Sequence, residues 1–196
     1  MQILDPPGRE GCEGFPFSTA QSRLFFALFV PSRQKNLVLQ YDVPDTTMEL
    51  TIYTDGASRN NPGESGAGVY ILKDGEPYER IACYLGTTTN NIAEYTAAII
   101  GLEHAVAAGA RRVNLFADSE LMVKQLNGQY KVKNEGLKPL HAKVKGLIAK
   151  IGRVEVHYIP REQNKEADAL ANKAIDEKIT KETENGSQGP VQRQLF

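Results

Sequence analysis

Three strand-like runs in direct succession, then alternating helix and strand patterns, leave this chain few ways to fold. Residues 49–55 are β-rich and end at a glycine-containing turn. Residues 66–73 and 78–85 follow as two more strands, with Asp74-Gly75 between them as a strong hairpin signal. From 91 to 108 the period lengthens: Ile92, Tyr95, Ala98, Ile99, Leu102 and Val106 recur at helical spacing, and Gly109 supplies the C-cap. Residues 112–117 predict a short buried strand, 119–126 a short helix stopped at Asn127-Gly128, and 137–151 a longer helix. A strand over 154–159 and a last helix over 165–177, N-capped by Asn164, complete the pattern. Three strands able to form a meander, followed by crossover units, predict an α/β fold with a mixed sheet and helices on its faces.

The patterned region, 48–177, is flanked by segments of different composition. Residues 1–47 are rich in Pro, Gly and Ser and sustain no period, so a disordered leader or an upstream-start extension is expected there, with Met48 directly before the first strand. Residues 178–196 are polar, and Asn185-Gly186-Ser187-Gln188-Gly189-Pro190 reads as a flexible linker in a C-terminal tail. The formal net charge is −1, so any nucleic-acid partner must be met by a local basic patch rather than by a global field. The most apolar run, 24–30, is far short of the ~20 residues that a bilayer crossing needs. Asp5, Glu10 and Glu13 stand where a signal peptide carries basic residues. Cys12 and Cys83 make no metal-ligand spacing, and a reduced compartment suits them. A cytoplasmic monomer is the expected state.

Four carboxylates sit where a sheet protein usually avoids charge. Asp55 closes an apolar strand (Leu50, Ile52, Tyr53), and Asp118 closes the strand before it. Glu94 lies among apolar residues early in the long helix, and Asp168 lies early in the last one, just before Ala169-Leu170-Ala171. Taken singly, each has a plain reading as turn-former, cap or helix-dipole partner. Strand ends, however, meet at one edge of an α/β sheet, where such folds place their ligands. Carboxylates forced together raise one another's pKa, and a divalent cation relieves the repulsion. Oxygen-only ligation favours Mg²⁺ or Mn²⁺ over Zn²⁺. Asn90 and Glu94 are four apart and share a helix face, which puts an amide where it can read a ribose 2′-hydroxyl; helix capping is the alternative for Asn90-Asn91.

The residues around these carboxylates carry a resemblance. Thr54-Asp55-Gly56-Ala57-Ser58 with Asn61-Pro62-Gly63 resembles the first-strand motif of the ribonuclease H type 1 family. Thr88-Thr89-Asn90-Asn91 with Glu94 and Ala97-Ala98 is similar to its helix motif, Ala117-Asp118-Ser119 to its third, and Asn164 through Asp168 to Leu170-Ala171 to its fourth. The resemblance spans essentially all of 48–177, with the motifs in order. It implies a five-stranded mixed sheet with the first strand central and helices on both sides. It also implies an endonuclease that cuts the RNA strand of RNA–DNA hybrids, leaving 5′-phosphate and 3′-hydroxyl ends. By this resemblance Asp55 bridges two Mg²⁺ ions about 4 Å apart, with Mn²⁺ as a substitute. Asp168 completes the site of the attacking water, and Glu94 and Asp118 that of the leaving 3′-oxygen. Asn61, Asn90 and Asn91 are implied as ribose contacts, Thr89 as a DNA-phosphate contact, and Ser119 as a further substrate contact.

The sequence also departs from the family. Well-known members carry a histidine in the loop before the last carboxylate, whereas this loop reads Ile159-Pro160-Arg161-Glu162-Gln163-Asn164. Arg161 is the nearest candidate to act at the phosphate, and turnover slower than in histidine-containing relatives is expected. His104, His141 and His157 fall on predicted helices and a strand, where structural roles are commoner. Lys124, Lys131, Lys133, Lys138, Lys143, Lys145 and Lys150 crowd one stretch with Glu135 as its only acid, and Tyr130 stands where the family often has tryptophan. These lysines are either a solvated helix face or a grip on DNA phosphates. The family's separate hybrid-binding module is not recognisable in 1–47. Gln192-Arg193-Gln194-Leu195-Phe196 resembles the short motif by which bacterial replication proteins dock on the sliding clamp, with an unused tail as the plain alternative. Cleavage of double-stranded RNA as well, or a catalytically inactive nucleic-acid-binding module, are the rival functional readings.

Overall fold

The structure is a computed structural model and describes residues 48–179 and 182–185. The readings made for 1–47 and for 192–196 lie outside these residues. Strands β1 (Glu49–Ser58), β2 (Gly63–Lys73) and β3 (Glu76–Thr88) form an antiparallel meander. Helix α1 (Asn90–Ala108) then crosses over to β4 (Arg112–Ala117), and α2 (Glu120–Leu126) and α3 (Lys138–Ile151) lead to β5 (Arg153–Tyr158). Helix α4 (Lys165–Glu177) closes the series. β4 runs parallel to β1 and β5 parallel to β4, so β1 is central, as expected. A short strand that the sequence leaves in the tail, β6 (Glu182–Asn185), adds to the β3 edge and gives the order β5-β4-β1-β2-β3-β6. No helix of the described residues is long and apolar enough to cross a membrane.

Period-two patterning turns Leu50, Ile52, Val69, Ile71, Val113 and Leu115 to one face of the sheet, where Tyr95, Ala98 and Leu102 of α1 and Val144 of α3 complete the core. Each such aliphatic side chain contributes about 1.5–3 kcal/mol by leaving water. Adjacent residues of β2 point to opposite faces, and this places the two helical layers. A Cβ on Gly101 of α1 would meet Val69 at 3.2 Å, whereas a Cβ on Gly68 would stand 2.1 Å from the Ala167 carbonyl oxygen of α4. α1 and α4 therefore cover opposite sides of the sheet. α4 rests its backbone on Gly66 and Gly68 and buries Ala167, Ala171, Ala174 and Ile175. That direct backbone contact carries the start of α4, with Asp168, close to the middle of β1.

Candidate active site

Asp55 is not at the end of its strand, as the sequence suggested, but inside it. The pairing explains why a site still opens there. The parallel ladder to β4 stops at Thr54–Ala117, and β1 continues to Ser58 paired with β2 alone. β5 reaches no further, ending its pairing at Ala117–Tyr158. Asp55 and Asp118 thus emerge side by side where two parallel strands end, the usual ligand edge of such sheets.

Glu94 arrives from α1. Gly56 is what lets the helix approach, because a Cβ there would lie 2.1 Å from the Glu94 amide nitrogen. The nearby Gly56 backbone N–H offsets part of the rise in the Glu94 pKa. One oxygen each from Asp55, Glu94 and Asp118 lies within 4.8 Å of the others. Asp55 and Glu94 are 4% and 5% exposed, and Asp55 Oδ2 and Glu94 Oε2 are buried without a hydrogen-bond partner. The charged forms are correspondingly disfavoured. Burial, then the charges of Asp118 and Asp168, push Asp55 up to about 7, with Arg161 offsetting part of the rise. Burial, then Asp55 and Asp118, hold Glu94 well above the usual carboxylate range.

Asp168 is near enough to Asp55 to raise its pKa, but its own Oδ1 is taken by the Arg161 guanidinium. The chain therefore supplies an internal cation beside its fourth carboxylate. Asn164, expected as the side-chain cap of α4, makes no capping bond; its Nδ2 donates to the Thr54 carbonyl at 2.9 Å and to Asp118 Oδ1 at 3.1 Å. Asn164 belongs to the fourth sequence motif, and its contact with Asp118 has no signal in the sequence.

Four of the candidate substrate contacts, Asn61, Thr89, Asn90 and Asn91, gather around the start of α1. Thr89 is the N-cap, accepting from the Ile92 N–H at 3.4 Å, so capping falls to it and not to Asn90 or Asn91. Asn61 Oδ1 accepts from the Asn90 backbone N–H at 3.2 Å, which ties the β1–β2 loop to the helix. Among the described residues the Asn90 and Asn91 side chains make no hydrogen bond, and Ser119 precedes α2 without a side-chain capping bond. The histidines are structural: His104 pairs with Glu79 at 2.8 Å, His141 Nε2 lies 3.3 Å from the Gln125 carbonyl, and His157 stacks on Phe116. Among the lysines, Lys124, Lys138 and Lys143 are ion-paired to Glu120, Glu135 and Glu103. Tyr130 is half exposed, with Lys124 over its ring.

The raised carboxyl has a consequence for stability. A folded-state pKa above the unfolded value means that the native state binds more protons, so stability falls as pH rises. In EDTA, the melting temperature is expected to decline from about pH 4, the ordinary aspartate value, through about pH 7, where Asp55 titrates, with the raised Glu94 adding to the decline. Saturating Mg²⁺ should flatten or reverse that decline as the pH approaches 7. A metal-free profile that is flat or rising from pH 4 to 7 contradicts the buried, mutually repelling cluster.

The region 53–174 matches the reverse transcriptase-like family. A bifunctional protein of Mycobacterium tuberculosis is 37% identical over 131 residues, 66% of this chain and 36% of that protein. The chain thus spans about a third of that relative's length. Ribonuclease HI of Halobacterium salinarum is 36% identical over 135 residues, covering 68% of both chains. The LC11 ribonuclease H1, solved in complex with an RNA/DNA hybrid, superposes with a TM-score of 0.63 at 41% identity, over 66% of this chain and 98% of that one. A central β1 flanked by parallel β4, an acidic cluster where their ladder ends, and these likenesses agree: the chain belongs to the ribonuclease H type 1 family.

Proposed function

We propose that this chain is an endoribonuclease that hydrolyses the RNA strand of RNA–DNA hybrids with the help of a pair of divalent cations. The convergence of Asp55, Glu94 and Asp118 carries the reading, above all the two buried carboxylate oxygens left without a partner. Such oxygens are expensive to bury unless something repays them. A hard cation with oxygen ligands fits, and Mg²⁺ is our choice, with Mn²⁺ as substitute. Asp55, Glu94 and Asp118 would hold one ion, and Asp55 with Asp168 the other. Bound there, the ions would lower the pKa of a water and neutralise charge on the departing 3′-oxygen.

The rest falls to the chain's own residues. Asn61, Asn90 and Asn91 stand together to contact ribose 2′-hydroxyls, the groups that mark RNA. Thr89 spends its oxygen on the helix cap and keeps its hydroxyl hydrogen to donate to a DNA phosphate. Ser119, next to Asp118, would be a further substrate contact. Arg161 leaves Asp168 for the scissile phosphate and assists release of the products, which carry 5′-phosphate and 3′-hydroxyl ends. Lys131, Lys133, Lys145 and Lys150 have no ion pair among the described residues, unlike Lys124, Lys138 and Lys143, and are the readiest of the basic group to meet phosphates.

The test is cleavage of a labelled hybrid beside an RNA duplex of the same sequence. Hybrid cutting in Mg²⁺ that stops in EDTA is the expected result. Equal cutting of both duplexes would establish the broader nuclease instead. Tight hybrid binding with no cutting in either Mg²⁺ or Mn²⁺ would leave only a binding module.

A further inference from the structure

Asn164 is the one buried amide among the described residues that touches a candidate ligand while keeping an oxygen unpartnered. It is 1% exposed, its Oδ1 has no hydrogen-bond partner, and both bonds from its Nδ2 cross to distant parts of the chain. One goes to the Thr54 carbonyl on β1 and the other to Asp118 Oδ1. Their targets are telling. Thr54 is the last residue of β1 paired to β4, and Asp118 is the first residue after β4 ends. No ladder holds Asp118 any longer, and unlike Asp55 and Glu94 it is only partly buried. A carboxylate in that position is free to leave the cluster unless a donor fixes its rotamer. Asn164 supplies that donor and references it to the strand that carries Asp55.

We propose that Asn164 is a positioning residue of the carboxylate cluster. Its Nδ2 holds Asp118 toward Asp55 and Glu94 and ties it to the backbone of β1. The inference rests on the metal-dependent reading above. A plain structural role as the α4 cap does not account for it, since the side chain makes no capping bond. Partners that orient ligating groups typically change metal affinity or activity by about 10–100-fold when removed.

The experiment measures Mn²⁺ binding to the full chain by titration calorimetry, with hybrid cleavage alongside. Wild-type protein is the control on the reading itself: if it neither binds Mn²⁺ nor cuts hybrids, the metal-dependent function fails, and this inference fails with it. Where the wild type does both, Asn164→Ala is expected to weaken Mn²⁺ by about 10–100-fold and lower kcat comparably, with KM for the hybrid unchanged. Removing Asn164 from an Asp118→Ala background should add little, because it acts through Asp118. Unchanged Mn²⁺ affinity in a folded Asn164→Ala protein, whatever its melting temperature, overturns the proposal. So does a second loss as large in the Asp118→Ala background as in wild type. Should Asn164→Ala fail to fold, the side-chain amide of Asn164 in wild type decides by NMR. Amide protons protected from exchange that shift on Mg²⁺ addition support the role, and protons that exchange freely and ignore Mg²⁺ overturn it.

Discussion

Replacing Asp55 with Asn is expected to end hybrid cleavage while raising the melting temperature of the metal-free protein. The two effects share one cause. Asp55 is 4% exposed, has an unpartnered Oδ2 and faces Asp118 and Asp168, so its ionised form is held at a cost that only a cation can offset. Without the carboxylate the ions lose the ligand proposed to be common to both, and kcat should fall on the order of 10³-fold or more. Without metal, the same substitution deletes a buried charge. At pH 8 in EDTA the gain should be about 1–2 kcal/mol, or roughly 3–6 °C in a domain of this size. At pH 5 the wild-type group is already protonated, because its pKa stands at about 7, and the gain should vanish. Calorimetric melting of both proteins at the two pH values checks this. A variant that melts below wild type at pH 8 would show that Asp55 stabilises the empty fold, contrary to the repulsion argument.

How much of this was readable beforehand differs from residue to residue. Hydrophobic periodicity found β1 to β5 and all four α-helices, because each buries one face against a common core and the pattern is local. The four carboxylates were legible for the same reason: charge within apolar periodicity marks a place where folding is not the whole explanation. What depended on contacts far along the chain was not legible. Asn164 has the type and position of a helix N-cap, and its bond to Thr54, 110 residues away, is invisible in the motif. Capping at α1 falls to Thr89, one residue before the Asn90-Asn91 pair, and Asn61 of the β1–β2 loop engages the Asn90 backbone, a contact 29 residues apart in sequence. Asp55 reads as a strand end because turn residues follow it, whereas β1 keeps pairing with β2 to Ser58 after β4 has stopped. Strand β6, all polar, has no period to betray it and exists by pairing with β3.

Gly56→Ala is the second large effect, and it separates the packing that builds the cluster from the charges within it. An added methyl would stand 2.1 Å from the Glu94 nitrogen, 2.3 Å from the Ala93 carbonyl carbon and 2.6 Å from the Glu94 Cα. These are helix backbone atoms, which cannot swing aside as the tip of a side chain can. Either β1 bends or the start of α1 lifts, and in both cases Glu94 moves off Asp55. Destabilisation at or above the ~3 kcal/mol upper range of overpacking is expected, lowering the melting temperature by about 10 °C. Mn²⁺ binding should weaken further than that loss of stability explains, since the protein that remains folded still has its ligands misplaced. Gly146→Ala is the control: it lies in α3 with nothing within 4 Å of the added Cβ, so helix propensity should stabilise the protein by up to about 1 kcal/mol with metal affinity unchanged. If Gly56→Ala binds Mn²⁺ as tightly as Gly146→Ala does, the close approach of α1 to β1 is not what sets the position of Glu94.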